Sequence, residues 1–260
     1  EGKGIAVLRD TTGDGRADII KSFLAFTGTG IEIRNGYLYY SDRTHVYRSK
    51  MKEGEMLPED AMDTIVTLVE GRGHMEKPFT FDGKGGLYVN VGSQSNCCEV
   101  PLRTPHSKGD DPCVELETRA GIWKFDENAL NQKQEAVNRW ATGIRNAVAL
   151  TWSGDRIYAA QHGRDDLHRY WDEYYTEEQN QELPSEIFFD LKEGDDMGWP
   201  YCYYDHIQGK KMLNPEYGGD GVKSERCENV KDPLVAFPGH WAPNDVLIYQ
   251  GNLFPEKYKG

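Results

Sequence analysis

The chain has 260 residues, 43 of them acidic and 30 basic, for a formal net charge of -13. A field of that sign repels phosphate backbones and anionic lipid, which excludes nucleic acid and membrane surfaces as favoured partners and points to a small neutral or cationic ligand. No stretch approaches the roughly 18 apolar residues of a membrane span, and the length suits one large all-β domain.

Taken in order, residues 4–8 read as one arm of a hairpin. The turn that follows, DTTGDGRAD, sets Asp10, Thr12, Asp14 and Asp18 at alternate oxygen-bearing positions with Gly15 at the sixth. That is the front half of a calcium loop, which needs hard oxygen ligands and a glycine for the sharp turn. The twelfth position is Lys21, where a bidentate Glu would close the site. A structural calcium site and a hydrogen-bonded turn both stay open there.

Beyond this turn one unit recurs: an apolar arm, a Gly or Asn turn, then a second arm carrying an apolar-Tyr pair. It reads IEIRNGYLYYSD at residues 31–42, FTFDGKGGLYVNVG at 79–92 and ALTWSGDRIYAAQHG at 149–163. Its tyrosines are Tyr39, Tyr88 and Tyr158. A period of about 40 to 50 residues made of short strands is that of a β-propeller blade, with a sandwich as the alternative. Further strands are expected at residues 185–191, 200–204, 233–237 and 246–249, and helices only near 126–134 and 171–181. The count is four to five blades of a ring that needs more. With residues 253–260 stopping where another hairpin would begin, one propeller domain over residues 1–260, truncated at both ends, is expected.

Five cysteines lack paired CxxC spacing and any CxxCH signature. Cys98 and Cys113 bracket one polar loop, and Cys202 and Cys227 bracket another. Disulfides would clamp these as insertions over residues 93–120 and 203–232, as happens in oxidising compartments, leaving Cys97 over.

Several side chains then stand out. His74 follows two glycines on a loop leading into a strand, where a free imidazole suits general-base work, although an ordinary loop histidine is the simpler account. Arg145 and Asn146 combine a planar cationic fork with an amide, fit for a polyanionic, carbonyl-rich ligand or for an ion pair between blades. If residues 147–152 and 156–160 are hairpin arms, Gln161 and the Gly163, Asp165 and Asp166 cluster lie at the same open end. Their oxygens suit a divalent cation or a solvated loop.

The blocks GHMEKPFTFDGKGGLYVNVGS, ELETRAGIWKFD, ATGIRNAVALTW, AAQHGRDDL, ELPSEIFFDLKEGDDMGWPYCYYD and DPLVAFPGHWAPNDVLIY together resemble the glucose/sorbosone dehydrogenase family, in its sorbosone dehydrogenase-like branch. The resemblance implies a six-bladed β-propeller that binds pyrroloquinoline quinone (PQQ) and calcium and oxidises a sugar or sugar aldehyde. Electrons would leave to an external quinone or cytochrome, in a periplasmic or secreted protein. It implies His74 as base, Arg145, Asn146 and Gln161 as cofactor contacts, and the backbone of residues 163–166 as the calcium loop. Three positions depart from the pattern. Ser93 stands where the soluble glucose dehydrogenases place an Asp beside the histidine, His162 replaces a glycine, and His240-Trp241 precedes Ala242-Pro243 where a cofactor lysine is expected. A binding propeller of the same family that has lost the quinone is therefore the alternative.

Overall fold

The structure, a computed structural model, describes residues 4–25 and 27–260. Its frame is three antiparallel sheets, each with four strands in chain order. The first runs Ile31–Arg34, Tyr37–Ser41, His45–Lys50 and Asp63–Thr67; the second, Phe79–Phe81, Gly86–Val91, Gly121–Asp126 and Arg139–Thr142; the third, Ala147–Ser153, Arg156–Gln161, Glu186–Leu191 and Val235–Phe237. Short arms joined by tight turns can pair only with their neighbours, which produces this meander.

The recurring tyrosine falls on the second strand of every sheet and explains the repeat. Tyr39 meets Phe81 of the following sheet edge-on, with centroids 4.9 Å apart, and Tyr88 stacks on Trp152 of the third sheet at 5.0 Å. Tyr158 packs instead on Phe188 of its own sheet. Burying such rings between sheets supplies area plus about 0.5–1.5 kcal/mol per aromatic pair. Two cores result: Trp123, Leu87 and Ile65 lie between the first and second sheets, and Ile122, Ile157 and Phe189 between the second and third.

Four elements differ from expectation. Residues 126–134 form no helix, because Gln132 folds its amide onto Asp126 and Ala129 while Gln132–Lys133 adds in parallel to the outer strand of the first sheet. Local side-chain bonds and an open edge outcompete a short helix there. Of the stretch expected to be helical at 171–181 only the end is, in Glu177–Glu182, started by a Thr176-Gln179 capping box, and a separate turn of helix precedes the stretch at Leu167–Tyr170. Cys202–Asp205 pairs with Lys210–Leu213 as a separate hairpin. Residues 246–249 join no strand among the described residues, and the larger sheets number three, the first with Gln132–Lys133 as a fifth strand, where four to five blades were expected.

Disulfides join Cys98 to Cys113 and Cys202 to Cys227, across 15 and 25 residues, and Cys97 is a buried free thiol. Loops of that length give roughly 3 kcal/mol each by restricting the unfolded chain. Thiol titration of the denatured, unreduced protein is expected to find one reactive group; five would remove both bridges from the account.

Candidate active site

The clusters flanking the Ala147–Ser153 and Arg156–Gln161 hairpin do meet at one end, and His74 joins them from the loop between the first two sheets. Gly73, at φ +79, is what lets that loop lie down: a Cβ there would come within 2.2 Å of the Gln94 carbonyl oxygen. Gly92 plays the matching part beneath, since a Cβ on it would strike both the His74 Cβ at 2.6 Å and Asn146 Oδ1 at 2.8 Å.

His74 is held in one tautomer. Its Nδ1 lies 2.9 Å from the Ser93 carbonyl and 3.1 Å from Ser93 Oγ, and that hydroxyl donates its own proton to the Ser95 carbonyl at 2.8 Å. Both partners of Nδ1 are therefore acceptors, so Nδ1 carries the proton and Nε2 keeps its lone pair. Burial and then the Arg145 charge push the imidazole pKa down to about 3, against the opposing pull of the Ser93 carbonyl and Asp165. The ring is neutral at physiological pH, with a basic nitrogen ready to accept a proton.

Arg145 is 3 % exposed and every arm of its guanidinium is engaged. Nε donates to Asn96 O at 3.3 Å, Nη1 to Gly163 O at 2.6 Å and to His162 O at 3.3 Å, and Nη2 to Asn96 Oδ1 at 3.0 Å and Asp165 Oδ2 at 3.1 Å. Its backbone N–H donates to Gln161 Oε1 at 3.0 Å. Asn146 Oδ1 is buried without a partner. The arginine thus braces the rim; Asn146 Oδ1 lies beside Gly92 and His74 with capacity left over, while Gln161 lines the small cavity behind Arg145.

The residues expected to hold calcium are occupied by arginine. Asp165 Oδ2 takes Arg103 at 2.9 Å as well as Arg145, and Asp166 Oδ2 lies 3.8 Å from both Arg103 and Arg169. The Asp10 loop is a hydrogen-bonded hairpin turn: Asp10 accepts the amides of Thr12, Gly13 and Gly15, Asp18 those of Thr11 and Thr12, and Asp14 that of Arg16. The Gly15 and Gly13 amides hold the Asp10 carboxyl below its usual pKa, and the Thr11 hydroxyl followed by the Thr11 amide does the same for Asp18. Among the described residues no three His, Cys, Asp or Glu side chains gather as a metal-holding group.

His162, the residue that replaces a glycine, donates from Nε2 to the Pro243 carbonyl at 3.0 Å and so pins the Ala242-Pro243 segment against the site. Sequence reasoning missed Asn96, whose side chain binds Arg145 and both the N–H and C=O of Asp165. Sitting in a Ser-Asn-Cys run after a strand, it carries no motif; only the three-dimensional bracing reveals it.

A family model described as Glucose / Sorbosone dehydrogenase matches residues 35–260. The chain belongs to the glucose/sorbosone dehydrogenase family. Among solved structures, the holo PQQ domain of pyranose dehydrogenase from Coprinopsis cinerea is 19% identical with a TM-score of 0.73, covering 97% of this chain and 64% of that one. The calcium structure of a Trichoderma reesei carbohydrate-active enzyme of family AA12 is also 19% identical, with a TM-score of 0.70 over 92% of this chain and 64% of that one. An uncharacterised protein of Borreliella burgdorferi is 25% identical over 177 residues, 66% of this chain. This member of the family spans 39% of that relative's length and just under two thirds of the two solved chains. At such identity the structural likeness is one of fold. Among the described residues no helix is long and apolar enough to cross a membrane, and the two disulfides fit an oxidising compartment.

The Ser93 departure has a direct test. An aspartate at that position would place a carboxylate near His74 Nδ1, and an opposite charge at such range raises a histidine pKa by about 1–3 units. In Ser93→Asp the His74 titration, followed by NMR, is expected to move upward; an unmoved titration would show that the side chain of residue 93 does not govern the ring.

Proposed function

We propose that the chain carries the site of a periplasmic or secreted PQQ-dependent enzyme that oxidises a sugar or sugar aldehyde, on a six-bladed propeller of which residues 1–260 supply one part. The observation that carries the reading is His74: a neutral imidazole with a fixed tautomer and an Nε2 that makes no hydrogen bond among the described residues, in a member of a sugar dehydrogenase family.

The donor set fits the quinone in part. Its carboxylates suit the positive field of Arg145 and Arg103, the NH2 groups of Gln161 and Asn146 would donate to carbonyl or carboxylate oxygens, and the unpartnered Asn146 Oδ1 would accept from an N–H or O–H of the ligand. When bound, the quinone supplies the acceptor for a hydride. The protein's own share is to orient the substrate hydroxyl, take its proton at His74 Nε2 and hold the resulting N–H. A polyanion seated beside Arg145 also offsets the charge that depresses the His74 pKa, so binding makes the base stronger.

As placed, residues 163–166 do not fit calcium: the Gly163 carbonyl and the Asp165 carboxylate already serve guanidinium groups. No step is routed through a metal. The full engagement of Arg145 also favours a second reading, a binding propeller that has lost the quinone.

The deciding experiment adds PQQ, with and without calcium, to the protein and follows both the His74 imidazole by NMR and dye reduction with a panel of aldoses and aldehydes. Turnover and a raised His74 pKa support the enzyme. No shift and no turnover leave the binding reading.

A further inference from the structure

Behind the rim, one group takes no part in the proposed reaction. Arg164 is 4 % exposed; its Nη1 reaches Glu216 Oε2 and, at 3.4 Å, Asn214 Oδ1. Its Nε and Nη2 are buried and have no partner. Leaving two donor atoms of one buried charged group without an acceptor is destabilising unless something in the cavity accepts from them.

Arg164 lines a cavity of about 20 Å³ that Arg145, Trp199, Tyr203, Lys211 and Asn214 also line. Its walls hold three cations. Arg145 is matched by Asp165, and Arg164 by Glu216. Lys211, 4 % exposed, donates to the Met197 carbonyl at 2.6 Å and has no carboxylate within ion-pair distance among the described residues. The free thiol of Cys97 lies near Arg164 but is not the missing counter-charge, because burial pushes its pKa well up and keeps it protonated. Among the described residues the lining therefore holds one cation without an ion-pair partner, Lys211, on which Asp232 and Asp196 act only from beyond that distance, and three Arg164 N–H bonds without acceptors.

We propose that this cavity binds a single small monovalent anion of the halide class, chloride in ordinary solution, held by Arg164 Nε–H and Nη2–H with Lys211 as the balancing charge. The volume admits about one water-sized occupant, which rules out phosphate, sulfate and carboxylates. A water would satisfy the donors but leave Lys211 without an ion-pair partner; a halide answers both. The bound ion would tie the rim loop that bears Arg164 to the disulfide-clamped hairpin that bears Lys211. It does not depend on the proposed reaction.

Two measurements test it. In crystals grown from sodium bromide, an anomalous peak is expected inside the cavity beside Arg164; density there without anomalous signal, or bromide at surface positions alone, overturns the proposal. In solution, chloride replaces acetate at constant ionic strength while the thermal midpoint is followed. A saturable rise is expected for the native protein and a flat response for Lys211→Met. A flat response of the native protein, or an equal rise in the variant, overturns it.

Discussion

Replacing His74 by glutamine is expected to lower turnover with any sugar that the protein oxidises by about 10²–10⁴-fold, the usual contribution of a positioned general base. Quinone affinity should change little, because the ring's bonds run to Ser93 rather than to Arg145, Asn146 or Gln161. A variant that reduces dye as fast as the native protein would remove His74 from the chemistry. The pH behaviour follows from the same geometry. Without quinone the folded pKa is about 3 and the base is unprotonated at neutral pH, so kcat/KM of the loaded enzyme should decline in acid only at the higher value to which bound quinone lifts the ring. Stability moves too. The folded pKa lies below the unfolded value of 6.5, so the unfolded chain binds the extra proton. The contribution of the neutral ring is complete above 6.5 and is lost as pH falls from there toward 3. His74→Gln should therefore resist acid better than the native protein over that interval, as read by thermal midpoints against pH.

Arg145→Ala is expected to be the most destabilising change near the site, lowering unfolding free energy by about 3–5 kcal/mol, the cost of breaking a buried charged network from one side. The loss takes from the Gly163 and His162 carbonyls the guanidinium that donates to them, and leaves Asn96 Oδ1 with the Asp165 N–H alone and the Asn96 carbonyl with Trp199 alone. Arg145→Lys should recover only part of it, since an ammonium cannot reproduce a planar fork meeting five acceptors. Denaturant unfolding gives the magnitude, and hydrogen exchange should show the loops at residues 96–98 and 162–166 opening together. If instead stability is unchanged and only quinone affinity falls, Arg145 is a cofactor ligand and the bracing drawn above is wrong.

Much of this was legible in the residues. The hairpins at 31–42, 79–92 and 149–163 announced themselves because alternation and turn chemistry are local, and Tyr39 and Tyr88, though not Tyr158, mark a sheet-to-sheet contact. The cysteine pairs could be read because each brackets a loop. What escaped depended on distance in space. Gln132 forming its own small knot gave the same composition as a short helix, and residues 246–249 have a strand's composition but pair with no strand among the described residues. At the site, the gathering of His74, Arg145, Asn146 and Gln161 followed from where the hairpin ends. The allocation of partners did not: the loop at 163–166 has the oxygens for a cation, and nothing in its spelling says that Arg145 and Arg103 already occupy them.

Asn96 has a consequence for how this protein can change over generations. One carboxamide, together with its own carbonyl, receives Arg145 twice, receives Trp199, and grips both ends of the Asp165 peptide unit. Substituting any one member strands the others, so the penalties at positions 96, 145 and 165 cannot be additive. The three residues form a single heritable unit, and lineages that replace one of them are expected to have replaced its companions in the same step or to have kept all three.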